Sequence, residues 1–244
     1  MEWFKKVFDK DYIRFQNIYL PSELATKFEV DFIQKVLNLS KDDLILDLGC
    51  GFGRIATPLA KKNFNIIGVD MSDILLSYAR RHTNKKAEFI SGDMRNLDFK
   101  ELFDKGFNAF SSFGYFKTRS EDNMVLKSIS RSLKSHGLFL FDLPNKDFIV
   151  DHFNKKTVLR AGRFTFTYKR VFYKPDSLLK TELIIRGNGK NIIRRLAIRL
   201  YNFRELSDAV TRYNLHVKGI WGGVNFEKFN KYDSKRMFIL LKKK

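Results

Sequence analysis

Cysteine is nearly missing from this chain. Cys50 is the single example, which excludes an internal disulfide and any metal site built from several thiolates. Only four prolines fall in 244 residues, too few for long disordered linkers. No stretch approaches the roughly 18 consecutive apolar residues of a membrane-spanning helix. The opening MEWFKKVFDKDYIRF mixes charge with apolar residues and so lacks the apolar centre of a secretory leader. A cytoplasmic location is the expectation. Acid is scarce too: 27 Asp and Glu against 46 Lys and Arg leave a net charge of +19. That balance points to an anionic partner, or else to compositional drift toward Lys.

What is present is a core-forming composition, 44% hydrophobic, on a length that fits one domain with an elaboration or one large and one small domain. The most informative stretch is LILDLGCGFGRIATPLA at residues 44–60. An apolar strand, Leu44 to Leu46, meets Asp47. The turn Gly49-Cys50-Gly51-Phe52-Gly53 follows, and a helical pattern runs through Ile55, Leu59 and Ala60. Glycines at alternate positions let the backbone turn sharply and approach a ligand closely. The turn leads into a helix N-terminus, whose free N–H groups favour an anionic group. A dinucleotide fingerprint needs glycine at the sixth position of G-x-G-x-x-G, where this chain has Arg54. Asp47 beside the turn suits an ammonium group better than a pyrophosphate, so the charge logic favours an amino-acid-bearing nucleotide. Cys50, inside the turn, reads as a small filler rather than a nucleophile.

Further on, Asn65-Ile66-Ile67-Gly68-Val69 ends in Asp70. An acid closing the second strand, about 20 residues past the glycine turn, is placed to accept both ribose hydroxyls. Gly92-Asp93-Met94-Arg95 follows the third strand, and Phe107 to Phe110 opens a fourth that ends at Ser111-Ser112. A fifth runs from Gly137 to Asp142, and a helix at 203–213 with strands at 214–221 and 236–241 closes the pattern.

The stretch D-x-G-x-G-x-G resembles motif I of the class I S-adenosylmethionine-dependent methyltransferases, and Asp70-Met71-Ser72 matches their motif II. The resemblance implies a Rossmann-like, doubly wound α/β fold with a seven-stranded sheet whose last strand is antiparallel. It implies a cofactor, S-adenosylmethionine, held by Asp47, Gly49, Cys50, Gly51, Gly53 and Arg54. Asp70 would take the ribose, Met71 the adenine face, Asp93 the exocyclic amine and the Met94 backbone the ring edge. Ser111 would face the methyl group. The family's leading segment often covers the cofactor, where Tyr12 and Tyr19 are candidates, though packing is the commoner role of such tyrosines. The string Ser111 to Phe116 departs from the (D/N)PP(Y/F) tetrapeptide of the DNA and amide enzymes and resembles small-molecule methyltransferases instead. Tyr115, Asn145 and His152 lie at suitable points after strands four and five, but no pair of residues announces a general base, and no catalytic residue is named.

Residues 157–201 switch to a strand pattern. Three antiparallel strands, near 164–168, 178–185 and 192–200, are expected to form a small sheet, with turns at Pro175-Asp176-Ser177 and Gly187-Asn188-Gly189. The expected organisation is a leading helical segment (1–40), a cofactor-binding core (41–150), the inserted β lid (151–202) and a closing helix with a β-hairpin (203–244). Residues 155–204 hold fourteen Lys and Arg against Asp176 and Glu182, so twelve of the nineteen surplus charges cluster there. Three explanations compete: a solvated basic face, a lid for an anionic small molecule, and a docking surface for RNA. The functional expectation is methyl transfer to an O, N or other nucleophile of a small molecule, with anionic molecules among the candidates. An RNA methyltransferase is the alternative, and a non-catalytic cofactor-binding protein the third reading.

Overall fold

The computed structural model describes residues 7–15 and 22–244; Tyr19 lies outside them. Its centre is β1 (Leu44–Leu48), whose residues Ile45 to Leu48 are all buried. Such a strand, covered on both faces, reads as an apolar run rather than an alternation. β1 pairs in parallel with β2 (Asn65–Asp70) on one side and β4 (Phe103–Asn108) on the other. β3 (Ala87–Ser91) and β5 (Leu133–Pro144) extend the sheet at either side. β11 (Arg236–Lys243) then runs antiparallel to both β5 and β10 (Leu215–Trp221). The order is β10-β11-β5-β4-β1-β2-β3, and the seven strands with an antiparallel last strand agree with what the resemblance implied. Strand order reverses between β1 and β4, and ligands bind in the crevice at such a switch point.

Helices cover both faces. α2 (Glu23–Val36), α3 (Ala56–Lys61) and α4 (Asp73–His82) contribute Val30, Phe32, Leu59 and Leu76 to one apolar layer. α5 (Arg119–Ser132) and α7 (Phe203–Thr211) contribute Val125, Ile129, Leu206 and Val210 to the other. Local signals agree with these starts. Ser72 caps α4, and Thr118 with Glu121 and Asn202 with Glu205 form capping boxes at α5 and α7, each satisfying otherwise unpaired N–H groups.

The insertion differs from expectation in strand number. It is a separate sheet of four antiparallel strands, not three: β6 (Lys156–Ala161), β7 (Phe164–Tyr173), β8 (Leu178–Gly187) and β9 (Lys190–Arg199). β6 is an edge strand with no buried position, so it carries no apolar alternation to read. A short helix, α6 (Lys146–Asp151), precedes it, capped by Asn145. The far end of β9 is tied to the core by a buried ion pair, Arg199 to Asp122 at 2.6 Å. The Tyr201 hydroxyl donates to the same carboxylate, and the Arg199 guanidinium also donates to the carbonyls of Phe116 and Lys117. Gly114 is obligatory beside this anchor. Its φ is +93°, and a Cβ there would lie 2.4 Å from the Arg199 carbonyl oxygen.

The leading segment crosses to the same sheet. α1 (Lys10–Arg14) is capped by Asp9, whose carboxylate also meets Arg194 of β9 at 2.6 Å. Phe15 packs with Phe166, Leu183 and Ile185, and Ser72 donates to the Phe8 carbonyl at 2.8 Å. Residues 7–15 thus bridge α4 and the inserted sheet.

Candidate active site

A cavity of about 380 Å³ opens at the carboxyl ends of β1, β2 and β4, within the size range of small-ligand sites. Its floor is the glycine turn. Gly49, Gly51 and Gly53 have φ of +75°, +55° and +80°, values that other residues adopt only with strain. The N–H groups of Gly49 and Cys50 both donate to the Val69 carbonyl, stitching the turn to β2. A Cβ on Gly49 would fall 2.6 Å from that of Ser112, so this glycine lets the turn lie against the end of β4.

Two carboxylates face this floor. Asp70 receives the Gly51 N–H on one oxygen and the Ser72 N–H on the other, each at 2.9 Å. Burial raises its pKa, and the N–H groups of Ser72, Gly51 and Met71 restrain the rise. The carboxylate is therefore fixed at the crevice with one lone pair per oxygen already used. Asp47, buried at the end of β1, is pushed up to about 8. Burial dominates; the Arg54 charge opposes it and the neighbouring Asp70 adds to it. Cys50 is buried, and its thiol is held well above the ordinary range, which makes it inert filler in the turn.

Arg54 follows the turn. Its Nη1 is held by Glu29 at 2.5 Å and Thr26 at 3.2 Å, while its Nη2 is buried and has no partner among the described residues. An unsatisfied buried guanidinium nitrogen is costly, and this side chain lines the cavity, so it is ready for an anionic group. Across from it, Phe110 and Ser111 both adopt left-handed backbone, φ +59° and +69°. β5 holds them there: the Phe110 N–H donates to the Asp142 carboxylate and the Ser111 N–H to the Asp142 carbonyl. Arg236 bonds Asp142 at 2.5 Å and donates to Ser111 Oγ at 2.8 Å. The Phe110 ring has Arg54 at 5.3 Å and Arg236 at 5.5 Å, within cation–π range.

Of the sequence-named residues, Asp47, Gly49, Cys50, Gly51, Arg54, Asp70, Met71, Met94 and Ser111 line one cavity. Gly53 and Asp93 do not. A Cβ on Gly53 would meet Thr57 at 2.8 Å and Phe89 at 3.0 Å, so this glycine serves close helix–strand packing. The Asp93 carboxylate is gripped by the Arg95 guanidinium, at 2.6 Å for the shortest contact, although Gly92 and Met94 on either side reach the cavity. Tyr12 and Tyr115 both line it; burial raises both hydroxyls, Tyr12 to about 12. Asn145 is occupied structurally, donating to the carbonyls of Lys231 and Ser234. His152 is exposed and stacked on Phe148. Sequence reading expected the insertion as a lid but named none of the roof residues that close the cavity from the leading segment and the inserted sheet: Phe8, Tyr168, Leu183, Ile185, Arg194 and Leu196. The alternation in β8 was the one signal that could have found some of them.

A parallel sheet that reverses order at β1 and β4, closes with an antiparallel β11 and carries a glycine turn opposite two acids defines the class I S-adenosylmethionine-dependent methyltransferase fold. Residues 45–137 match the family model described as a methyltransferase domain. YqeM of Bacillus subtilis (strain 168), which carries a methyltransferase name, is 34% identical over 123 residues, 49% of this chain and 50% of its own. The chain thus spans about half the length of the first curated relatives it matches. Among solved structures, the CcbJ methyltransferase of Streptomyces caelestis superposes with a TM-score of 0.84 at 17% identity, over 96% of both chains. CalS10 of Micromonospora echinaspora, an amino pentose methyltransferase solved with S-adenosylmethionine bound, gives 0.72 at 15%, over 96% of this chain. Both likenesses concern the fold. Among the described residues no helix is long and apolar enough to cross a membrane.

Proposed function

We propose that this chain binds S-adenosylmethionine in the cavity and transfers its methyl group to a small molecule held under the inserted sheet. The observation that carries the reading is the pair of fixed carboxylates, Asp70 and Asp47, facing a positive-φ glycine turn with the unpartnered Nη2 of Arg54 beside them. Asp70 takes the ribose hydroxyls, since a carboxylate held by two N–H groups still has lone pairs to offer. Asp47 takes the ammonium of the amino-acid tail and Arg54 Nη2 its carboxylate. Met71 and Met94 flank the adenine; Gly49, Cys50 and Gly51 form the floor and Gly53 fits its helix to the sheet. Asp93 fits the adenine amine only through an oxygen that Arg95 leaves accessible. Ser111 Oγ already accepts from Arg236, which leaves its hydrogen to donate into the cavity.

The bound cofactor supplies a sulfonium methyl. An acceptor lone pair would form the new bond to carbon while the S–CH₃ electron pair passed to sulfur, and an acceptor that arrived protonated would give up its proton to bulk solvent as the product left. This chain's residues align the reactants and exclude water, which lowers barriers by several kcal/mol, up to about 10. The RNA alternative gains nothing at the cavity wall: of the fourteen basic residues of 155–204, only Arg194 lines it. Small acceptors also agree with the amino pentose named for CalS10.

Calorimetry with S-adenosylhomocysteine and S-adenosylmethionine tests the site. Asp70→Ala should weaken binding by about 3–6 kcal/mol, the worth of two hydrogen bonds to a charged group; unchanged affinity removes the ribose assignment. The pH dependence tests Asp47. Its folded pKa of about 8 lies above that of an unfolded Asp, so the folded chain binds the proton more tightly. Its contribution to stability is complete below the ordinary Asp value and fades as pH rises through 8. An ammonium partner needs the ionised form. Cofactor binding at pH 7 should then release a proton, and affinity should fall by up to about tenfold per pH unit below 8. A flat profile from pH 6 to 8 with no proton release would mean that Asp47 does not meet the ammonium.

A further inference from the structure

The inserted sheet shows which chemical class of acceptor the cavity takes. Strands β7, β8 and β9 place Tyr168, Leu183 and Arg194 in one cross-strand row. Side chains alternate faces along a strand, so Ile185 and Leu196, two positions along from Leu183 and Arg194, fall on the same side, and all five line the cavity. Four of the five are apolar or aromatic. Arg194, the one charge, is bound by Asp9 at 2.6 Å and Asp11 at 3.5 Å, two acids against one cation. Phe8, Tyr115 and Phe116 add to the apolar lining of the cavity.

The basic residues lie elsewhere. Lys156, Lys169 and Arg195 share the opposite register with Glu182, as do Arg160 and Arg186 in a second row, and all five are exposed. These five members of the charge cluster that suggested a lid for an anionic molecule are carried on the side of the sheet turned away from the cavity; Arg170, on the Tyr168 side, donates to Thr157 Oγ1, stacks on the Tyr168 ring and does not line the cavity. An anion under the roof would lose its hydration and meet no uncommitted cation of the sheet, a large desolvation cost.

We infer that the methyl acceptor has an apolar, flat or chain-like body seated against Tyr168, Leu183, Ile185 and Leu196, and enters this part of the cavity without negative charge. This rests on the methyltransferase reading. The acceptor's polar atom lies toward Ser111, whose hydroxyl hydrogen is uncommitted, and its hydrocarbon lies toward the sheet.

The test incubates the full chain with methyl-labelled S-adenosylmethionine and a cell extract, then separates neutral solvent-extractable material, water-soluble anions and RNase-sensitive polymer. Label in the neutral extractable fraction is expected. Label in water-soluble anions or in RNase-sensitive material overturns the inference, as does no label from a chain that still binds S-adenosylhomocysteine. Failure to bind S-adenosylhomocysteine instead removes the methyltransferase reading beneath it. Leu183→Lys supplies the second measurement: transfer should fall at least tenfold, with S-adenosylhomocysteine affinity within about twofold of the parent. If cofactor affinity falls equally, the roof belongs to the cofactor and the acceptor does not lie there. For a variant that fails to fold, Leu196→Thr asks the same question with a smaller change in shape.

Discussion

Along β7, β8 and β9 successive side chains go to two surfaces with different jobs. On the inner one, Phe166, Leu183 and Ile185 are 0%, 5% and 2% exposed, packed around Phe15 of the leading segment. On the outer one, Val171 and Ile193 are 54% and 48% exposed among lysines and arginines. Period-two alternation produces both, but only the inner face has a partner. The difference teaches that net charge summed over a segment says little about its site. The insertion holds most of the surplus charge of this chain and yet presents an apolar roof to the cavity.

The largest way to break the comparison is to release the sheet from the core. Asp122→Ala leaves the Arg199 guanidinium buried without its counter-ion and removes the acceptor of the Tyr201 hydroxyl. Breaking a buried pair from one side costs about 3–5 kcal/mol, and urea unfolding should register that loss. Hydrogen exchange should show the excess opening in β8 and β9; a loss below about 1 kcal/mol would mean that the sheet is held by its apolar face alone.

A matched pair of truncations sharpens the contrast between faces. Phe166→Ala should cost about 3 kcal/mol, the lower end for such a change, because Phe15 and Phe164 are positioned to close on the gap. Val171→Ala, five residues along the same strand and half exposed, should stay within about 0.5 kcal/mol. Equal costs in thermal unfolding would mean that the outer face is covered in solution.

The same contrast explains what was legible beforehand. The glycine turn was legible because three alternate glycines before a helix answer a backbone need, and all three have positive φ. Asp70 was legible because a strand end about twenty residues on is the place for a ribose acid. The run of β1 showed as unbroken apolar residues because both faces are buried. By contrast, β6 has no buried position and gave the reading no pattern, so the sheet was counted one strand short. α6 is six residues long, too short for a helical period. The left-handed pair Phe110-Ser111 depends on Asp142 and Arg236, which come from β5 and β11; no local spacing announces a support 125 residues away. The pairing of Arg194 with Asp9 and Asp11 spans even more of the chain. With Arg194 so paired, local charge density is a poor guide to what the cavity lining offers.

The smallest expected effect is the most discriminating for the outer face. Lys169 and Arg195 have side chains 56% and 79% exposed and share the single acid Glu182 at 3.8 and 3.3 Å. Exposed pairs of this kind contribute about 0–1 kcal/mol and are screened by salt. Arg195→Gln leaves Lys169 beside Glu182, so stability should change by less than about 0.5 kcal/mol. Adding Lys156→Gln and Arg186→Gln removes three outward charges and no cavity residue. If the face is only solvated, transfer to the small acceptor and its salt dependence should match the parent chain, since none of the three side chains reaches the cavity. A triple variant whose transfer falls, with a flatter dependence on salt than the parent, would mean that the outward cations guide the acceptor after all. The acceptor would then be an anionic polymer that reaches the cavity from the outer face, and the two faces of the sheet would serve one substrate.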